Sequence, residues 1–269
     1  MPHEPLPTFF LSHGGGPWPW LKESMPGTFD QLECSLASIP RELGMIPKGI
    51  LVITAHWIER GFVVSGNACP SMIYDFSGFP EHTYHVKYSA PGAPDLANEI
   101  KTCLHDAGFN VRVDFERGFD HGTYTLLVPM FPEAQVPVVQ LSIDRKFDSE
   151  THLKVGQALV EFREKGILIL GSGLSFHNLA TFGPEAAAPS RAFDQWLQES
   201  LALAPTERWR RLCSWSLAPA ARKAHPREDH LIPLMVAVGA AWDEEARVIY
   251  HEDDFMGHWC VSSFRFGKP

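Results

Sequence analysis

The 269-residue chain is 45% hydrophobic and 20% charged, which is typical of a globular protein with a sizeable core. Its net charge of −9 and pI of about 5.8 argue against nucleic acid and anionic membranes as partners, because clustered lysines and arginines bind both. The five cysteines form no C-x-x-C pair and no apolar stretch reaches transmembrane length. We therefore predict a cytoplasmic protein without a disulfide framework or zinc ribbon.

Apolar runs bounded by turn residues predict the strands. The run at 49–55, GILVITA, is continuous and β-branched, as in a strand buried on both faces. The other predicted strands are 8–12, 62–64, 111–113, 136–143, 167–170, 248–250 and 261–266. Helices are predicted at 94–107, 151–165, 190–203 and 229–241. This alternation predicts a single α/β domain over 1–269, with a central mixed, largely parallel sheet flanked by helices.

Two stretches do not fit this alternation. Residues 70–94 are long, irregular and aromatic, and we expect Tyr74, Phe76 and Phe79 to form an ordered wall over a binding site. Residues 183–228 are rich in Ala, Pro and Arg but contain amphipathic segments. We interpret them as an insertion or cap on the domain.

Four histidines lie in small-residue loops beside hydrophobic runs. They are His13 in S-H-G-G-G-P, His56 in T-A-H-W, His121 in F-D-H-G-T and His177 in S-F-H-N, while His230 follows two acidic residues and begins an apolar run. Loops at the carboxyl ends of parallel strands line the active-site crevice of α/β proteins. Imidazoles gathered there would suit one metal ion with acid–base helpers.

Each histidine also has a plain structural explanation. His13 could be an incidental turn residue, His56 a buried imidazole bonded to a carbonyl, and Asp120 a helix cap beside His121. His230 could be incidental beside acids that stabilise a helix N-terminus. The role of His258 is open. The remaining histidines are predicted to be surface residues: His3, His82, His85, His105, His152, His225 and His251.

Common catalytic motifs are absent from the sequence. S-H-G-G-G-P lacks the lysine of a phosphate-binding loop, and the G-S-G at 171–173 matches neither a nucleophile elbow nor a dinucleotide fingerprint. There is also no H-E-x-x-H. Ser172 would be a nucleophile candidate only if the metal hypothesis were wrong.

A series of motifs gives the chain a family resemblance. In order they are H-G-G-G-P, V-I-T-A-H-W, Y-D-F-S-G-F-P, Y-S-A-P-G-A-P, G-F-D-H-G-T, V-P-V-V-Q-L-S-I-D, G-S-G-L-S-F-H-N-L and D-H-L-I-P-L. From about residue 8 onward, the chain resembles the DOPA-dioxygenase-type members of the class III extradiol aromatic ring-opening dioxygenases. Residues 183–228 match that family poorly.

The resemblance implies a function and a set of site residues. His13, His56 and His230 match the metal ligands, with Glu228 or Asp229 as the alternative third ligand. His177 matches the acid–base histidine, and His121 matches a further active-site histidine near the substrate.

The implied cofactor is iron(II), with zinc possible as the bound ion. The implied reaction opens a catechol, such as DOPA, with O2 to a semialdehyde, in a monomer or small homo-oligomer. The alternatives are a zinc-dependent hydrolase and a non-catalytic metal-binding module on the same fold.

Overall fold

One mixed sheet organises residues 4–267, the part of the chain described by this computed structural model. Its strands are β1 Thr8–Ser12, β2 Gly49–Glu59, β3 Phe62–Ser65, β4 Val111–Asp114, β5 Val138–Asp144, β6 Ile167–Gly173, β7 Ala246–Phe255 and β8 Trp259–Phe266. They follow the order β4-β3-β5-β2-β6-β1-β8-β7. The four central strands, β5, β2, β6 and β1, are mutually parallel, and β8 and β7 extend the sheet in antiparallel pairing. The predicted fold class is confirmed.

Helices cover the sheet. They are α1 Asp30–Leu43, α2 Pro94–Asp106, α3 His121–Met130, α4 Ser149–Ala158, α5 Val160–Glu164, α6 Ala187–Leu201, α7 Pro205–Cys213, α8 Ala221–Ala224 and α9 Ile232–Ala240. Within the described residues, short 3₁₀ helices lie at Trp18–Trp20, Glu81–His85, Pro184–Ala186 and Trp215–Leu217. No helix of the described chain is both long and apolar enough to cross a bilayer.

The central strands are buried because their sequences are apolar on both faces. Every residue of β1 and β6 is buried, as is β2 from Gly49 to Ala55. The pairing of β2 with β5 then shifts register between Ile53 and Ile58. His56 lies in this irregular stretch, so its side chain leaves the regular sheet at the carboxyl end of the strand.

Helices α4 and α9 pack very closely. A Cβ atom on Gly156 of α4 would lie 2.2 Å from the carbonyl oxygen of Val236, and one on Gly239 of α9 would lie 2.0 Å from that of Leu153. Only glycine permits this separation, since a methyl group would overlap the facing backbone. The contact fixes α9, and the residues just before it, against the sheet.

The structure revises three details of the sequence analysis. Helix α6 packs on β8, where Cys260 N donates to Ser190 Oγ at 3.0 Å, so 183–228 contributes to the helical layer rather than forming a separate cap. The helix predicted at 151–165 is two helices that meet at Leu159. Helices α1, α3, α7 and α8 were not predicted.

Two of the predicted surface histidines are buried. His152 Nδ1 donates to Asp148 O at 2.7 Å while its Nε2 accepts from Asp144 N at 3.1 Å, and His225 Nε2 donates to Ser175 O at 2.9 Å. Both imidazoles are fully buried, and the backbone supplies hydrogen bonds to both ring nitrogens of His152 and to Nε2 of His225. The surface prediction is confirmed for His82, His85, His105 and His251. His3 lies outside the described residues.

Candidate metal centre and active site

Five histidines from distant parts of the chain line one cavity of about 390 Å³ at the carboxyl ends of the parallel strands. His13 follows β1, His56 is near the end of β2 and His177 comes after β6. His121 begins α3, and His230 precedes α9. The structure thus brings together all five histidines that the sequence singled out.

The rings of three of these histidines lie at similar distances from one another. The ring centroids of His13, His56 and His230 form a nearly equilateral triangle with sides of 4.9, 5.0 and 5.2 Å. The Nε2 atoms of His13 and His56 are 3.3 Å apart. Two nitrogens bound at about 2.1 Å to one ion would lie roughly 3.0–3.4 Å apart.

Partnerless nitrogens support the same interpretation. Within the described residues, His13 Nδ1 and His230 Nε2 are buried and have no hydrogen-bond partner. Buried polar atoms nearly always have a partner, and an ion between the rings would supply one for His230. The residues present therefore fit a metal ion.

Carboxylates accept hydrogen bonds from the Nδ1 atoms of two of the three rings. Asp229 Oδ2 accepts from His230 Nδ1 at 2.8 Å, and Asp75 Oδ2 accepts from His56 Nδ1 at 3.1 Å. A proton on Nδ1 leaves the lone pair of Nε2 free for a ligand, as in the carboxylate–histidine pairs of metal sites. Glu228 is engaged elsewhere, 2.7 Å from Arg222 Nη1. Asp229 thus supports His230 in this geometry, and Glu228 points to Arg222.

His121 is the geometric rival of His230 for the third ligand position. Potential ligand atoms of His13, His56 and His121 lie within 4.8 Å of one another. However, Asp75 Oδ1 accepts from both the Nδ1 and the backbone N of His121, each at 2.9 Å. The His121 ring is 4.0 Å from that of His56 but 5.4 Å from that of His13, which makes a less regular triangle.

His177 lies flat against His230. The two ring centroids are 3.4 Å apart and the ring planes differ by 9°. The backbone N of His177 donates to Ala224 O at 3.0 Å, which fixes the loop after β6. Among the described residues, no hydrogen bond involves its ring. The imidazole is therefore held by stacking and remains available to a molecule in the cavity.

Burial and mutual proximity lower the pKa values of several of these imidazoles. Burial, reinforced by neighbouring histidines, places the pKa values of His13 and His230 well below the ordinary range. Burial also lowers the pKa of His177, to about 3. For Asp75, burial opposes ionisation, but the hydrogen bonds from His121 and His56 prevail and hold its pKa far below its usual value. The cavity therefore contains the neutral rings of His13, His177 and His230 together with an ionised carboxylate.

The start of α3 fixes His121 and leaves room for His56. Asp120 caps the helix by accepting from Thr123 N at 3.1 Å, and it accepts from Arg117 Nη2 at 2.9 Å, so its expected role as a helix cap is confirmed. A Cβ atom on Gly122 would come within 2.8 Å of His56 Cδ2. Glycine at this position lets the helix approach the imidazole closely.

The aromatic loop contributes two of its three expected wall residues. Phe76 and Phe79 line the cavity, and the Phe76 ring is 5.9 Å from that of His121. Tyr74 does not line it, which corrects the prediction. The Tyr74 hydroxyl donates to Val86 O at 2.8 Å, so the residue braces the loop behind Phe76.

Several residues of the cavity escaped the sequence analysis. Asp75 lies inside the Y-D-F-S-G-F-P motif, in which the sequence predicted roles only for the aromatic residues. Leu179, Phe182, Met256 and Trp259 also line the cavity. Ser172 is buried and donates its hydroxyl to Gly122 O, and His258 is not part of the lining.

The chain is similar to known proteins over most of its length. The profile of the family described as the catalytic LigB subunit of aromatic ring-opening dioxygenase matches residues 7–262. The 4,5-DOPA dioxygenase extradiol of Beta vulgaris is 39% identical over 263 residues, covering 96% of each chain. The protein of that name from Escherichia coli K12 is 33% identical over 269 residues, covering 97% of this chain and 95% of its own.

A further relative and a solved structure are also similar to this chain. Dioxygenase tasH of Hapsidospora irregularis is 36% identical over 270 residues, covering 93% of this chain and 82% of its own. The crystal structure of an uncharacterized protein from Escherichia coli K12 superposes with a TM-score of 0.79 at 27% identity, covering 97% of this chain and 100% of that one. The chain thus belongs to the LigB family of extradiol aromatic ring-opening dioxygenases.

Proposed function

We propose that this enzyme opens the ring of a catechol, the ring system of DOPA, next to its two hydroxyls, using O2 and releasing a semialdehyde. The observation that carries the proposal is the triangle of His13, His56 and His230 in an apolar cavity of a LigB-family chain. Such pockets, mostly apolar with a few placed polar groups, suit small aromatic molecules. We place the enzyme in the cytoplasm, as a monomer or small homo-oligomer.

The triangle is the proposed holder of one divalent ion, iron(II) in the active enzyme, with zinc as an ion the same nitrogens could bind. When bound, iron(II) supplies the Lewis acidity that ionises a catechol hydroxyl and the redox capacity that O2 activation requires. Asp75 and Asp229 orient His56 and His230 toward it.

His177 and His121 are the proposed catalytic residues. The neutral imidazole of His177 faces the cavity and can accept a proton from a substrate hydroxyl and later return it. His121, oriented by Asp75, faces the same space and can position the second oxygen of the substrate. Phe76 and Phe79 would contact the aromatic ring.

Oxygen consumption tests the activity. Protein purified without metal is loaded with iron(II) under anaerobic conditions and mixed with 4-methylcatechol in an oxygen electrode. We expect uptake of one O2 per catechol together with a yellow product, and none from the zinc-loaded protein. An absence of uptake with every catechol tested would contradict the proposal and favour the zinc hydrolase or the non-catalytic module.

Metal content tests the third ligand. The variants His230→Ala and His121→Ala remove the two rivals one at a time. We expect His230→Ala to lose most of its bound metal and His121→Ala to retain it, as measured by elemental analysis. The reverse pattern would assign the third position to His121.

A further inference from the structure

A second apolar wall of the cavity comes from two segments that are distant in sequence. Leu179 and Phe182 follow β6, while Met256 and Trp259 belong to the β7–β8 hairpin; we call these four residues the apolar rim. The rings of Phe182 and Trp259 stack at 4.8 Å. Trp259 Nε1 donates to Thr181 O at 2.9 Å, so the indole offers only apolar surface to the cavity.

Part of this rim is unusually exposed. Leu179 is 62% exposed and Phe182 is 45% exposed, whereas Trp259 is 2% exposed. Large apolar side chains grouped at the mouth of a cavity commonly mark a binding surface. The rim thus extends the apolar lining from the buried Trp259 outward to solvent.

The described lining of the cavity holds no lysine or arginine that could pair with an anionic substituent. The single carboxylate among those lining residues, Asp75, is occupied by His56 and His121. An unpaired charge is costly to remove from water, whereas an alkyl or aryl group gains by burial. A carboxylate fixed directly on the substrate ring would have no cation to meet among these residues.

We propose that the apolar rim binds the ring substituent of the substrate, and that the preferred substrates are catechols with an uncharged alkyl or aryl substituent. The proposal rests on the proposed ring-opening function and narrows its substrate class. The cavity volume of about 390 Å³ leaves space for a substituent beside a single aromatic ring.

A homologous series tests the subsite. Catechol and its 4-methyl, 4-ethyl and 4-propyl derivatives are compared with 3,4-dihydroxybenzoate and 3,4-dihydroxyphenylacetate. Each added methylene should raise kcat/KM by up to about fourfold, because burying one such group is worth about 0.8 kcal/mol. Both carboxylated compounds should be poorer substrates than 4-ethylcatechol. A preference for the carboxylates, or no increase along the alkyl series, would overturn the proposal.

Two pairs of variants locate the effect. Leu179→Arg places a cation at the mouth of the cavity and should raise the ratio of kcat/KM for 3,4-dihydroxybenzoate over 4-ethylcatechol at least tenfold. Leu217→Arg adds the same charge to a residue that is 86% exposed and outside the cavity, and should leave the ratio unchanged. Phe182→Ala should reduce the gain per methylene, whereas Phe115→Ala, at another exposed phenylalanine, should not. Equal effects within either pair would contradict the assignment.

Anaerobic binding separates this proposal from the proposed function. Calorimetric titration of the metal-loaded protein without O2 gives a dissociation constant for each compound, independent of turnover. Tighter binding of the alkyl catechols supports the apolar rim even if no ring is opened. Ring opening combined with tighter binding of carboxylated catechols would leave the function intact and overturn the substrate class.

Discussion

Asp75 holds two imidazoles with one carboxylate, since each of its oxygens accepts from the Nδ1 of a different histidine. These contacts fix His56, a proposed metal ligand, and His121, a proposed substrate contact, in one geometry. Partners of this kind orient ligands and increase their basicity. The carboxylate therefore couples the proposed metal site to the proposed substrate site.

Replacing Asp75 should weaken metal binding without unfolding the protein. Asp75→Asn removes the negative charge and leaves one acceptor oxygen for three donors, so metal affinity should fall about 10- to 100-fold. Competition with a chelator of known affinity measures this fall. Asp148→Asn is the matched control, because Asp148 caps α4 through Thr151 N and asparagine is also a good cap. Equal affinities for the two variants would contradict the role of Asp75.

His177 should matter for turnover and not for metal binding. His177→Phe keeps a flat ring against His230 but cannot transfer a proton, so kcat should fall about 10²- to 10⁴-fold. Elemental analysis should show normal metal content, and anaerobic titration should show normal catechol binding. Loss of metal would make His177 a ligand, and normal turnover would assign proton transfer to another group.

The buried His225 should make stability depend on pH. Burial lowers its pKa to about 4, so below pH 6.5 the unfolded chain binds a proton that the native protein resists. The contribution of the neutral His225 to the free energy of unfolding is complete above pH 6.5 and is lost as the pH falls toward 4. Urea unfolding at pH 7 and pH 5 should show a smaller loss of stability for His225→Gln than for the wild type. As a control, His82→Gln at an exposed position should lose as much stability between pH 7 and pH 5 as the wild type.

At the scale of elements, the glycine contact between α4 and α9 positions His230. Helix α9 begins two residues after His230, and Gly156 sets how closely α4 approaches it. Gly156→Ala forces a methyl group against the backbone and should destabilise the fold by about 1–3 kcal/mol. Thermal or urea unfolding measures this. Gln157→Ala, an exposed change in the same helix, should have little effect, and equal stabilities would mean that the helices can separate without cost.

The sequence predicted elements with a strong local pattern and missed those fixed by tertiary packing. Strands such as β1 and β2 are runs of apolar residues, and the histidines at their ends marked the cavity. Helix α1 buries Leu32, Leu36 and Ile39 on one face, but it contains Pro40, a residue that disfavours the interior of a helix. Helix α3 is apolar around most of its surface and shows no amphipathic pattern.

Loop residues were harder to assign. Nothing in 70–94 distinguishes Phe76, which faces the cavity, from Tyr74, which lies behind it. Asp75 sits between the two without a periodic signal. The apolar rim depends on contact between residues about 75 positions apart, such as Phe182 and Trp259, and only the folded chain shows that contact.

At the scale of the whole molecule, the proposed metal site joins separate parts of the chain, so binding should stabilise the fold. A ligand at 100 times its dissociation constant adds about 2.7 kcal/mol to the stability of the native state. Chelation should therefore lower the melting temperature of the wild type in differential scanning calorimetry. His13→Ala should melt at the same temperature with and without chelator. A wild type that is insensitive to chelation would show that no ion is bound at these residues.

The position of β1 also has a consequence for how the protein is made. This strand is synthesised early, yet it pairs with β6 on one side and β8 on the other, so Phe10 meets Gly171 and Phe264. His13, at the end of that strand, stands beside His230. Until the residues after β6 have been synthesised, β1 lacks β8 as a neighbour and His13 lacks the imidazole of His230. We therefore expect the proposed metal site to be completed only after the segment that carries His230 has emerged.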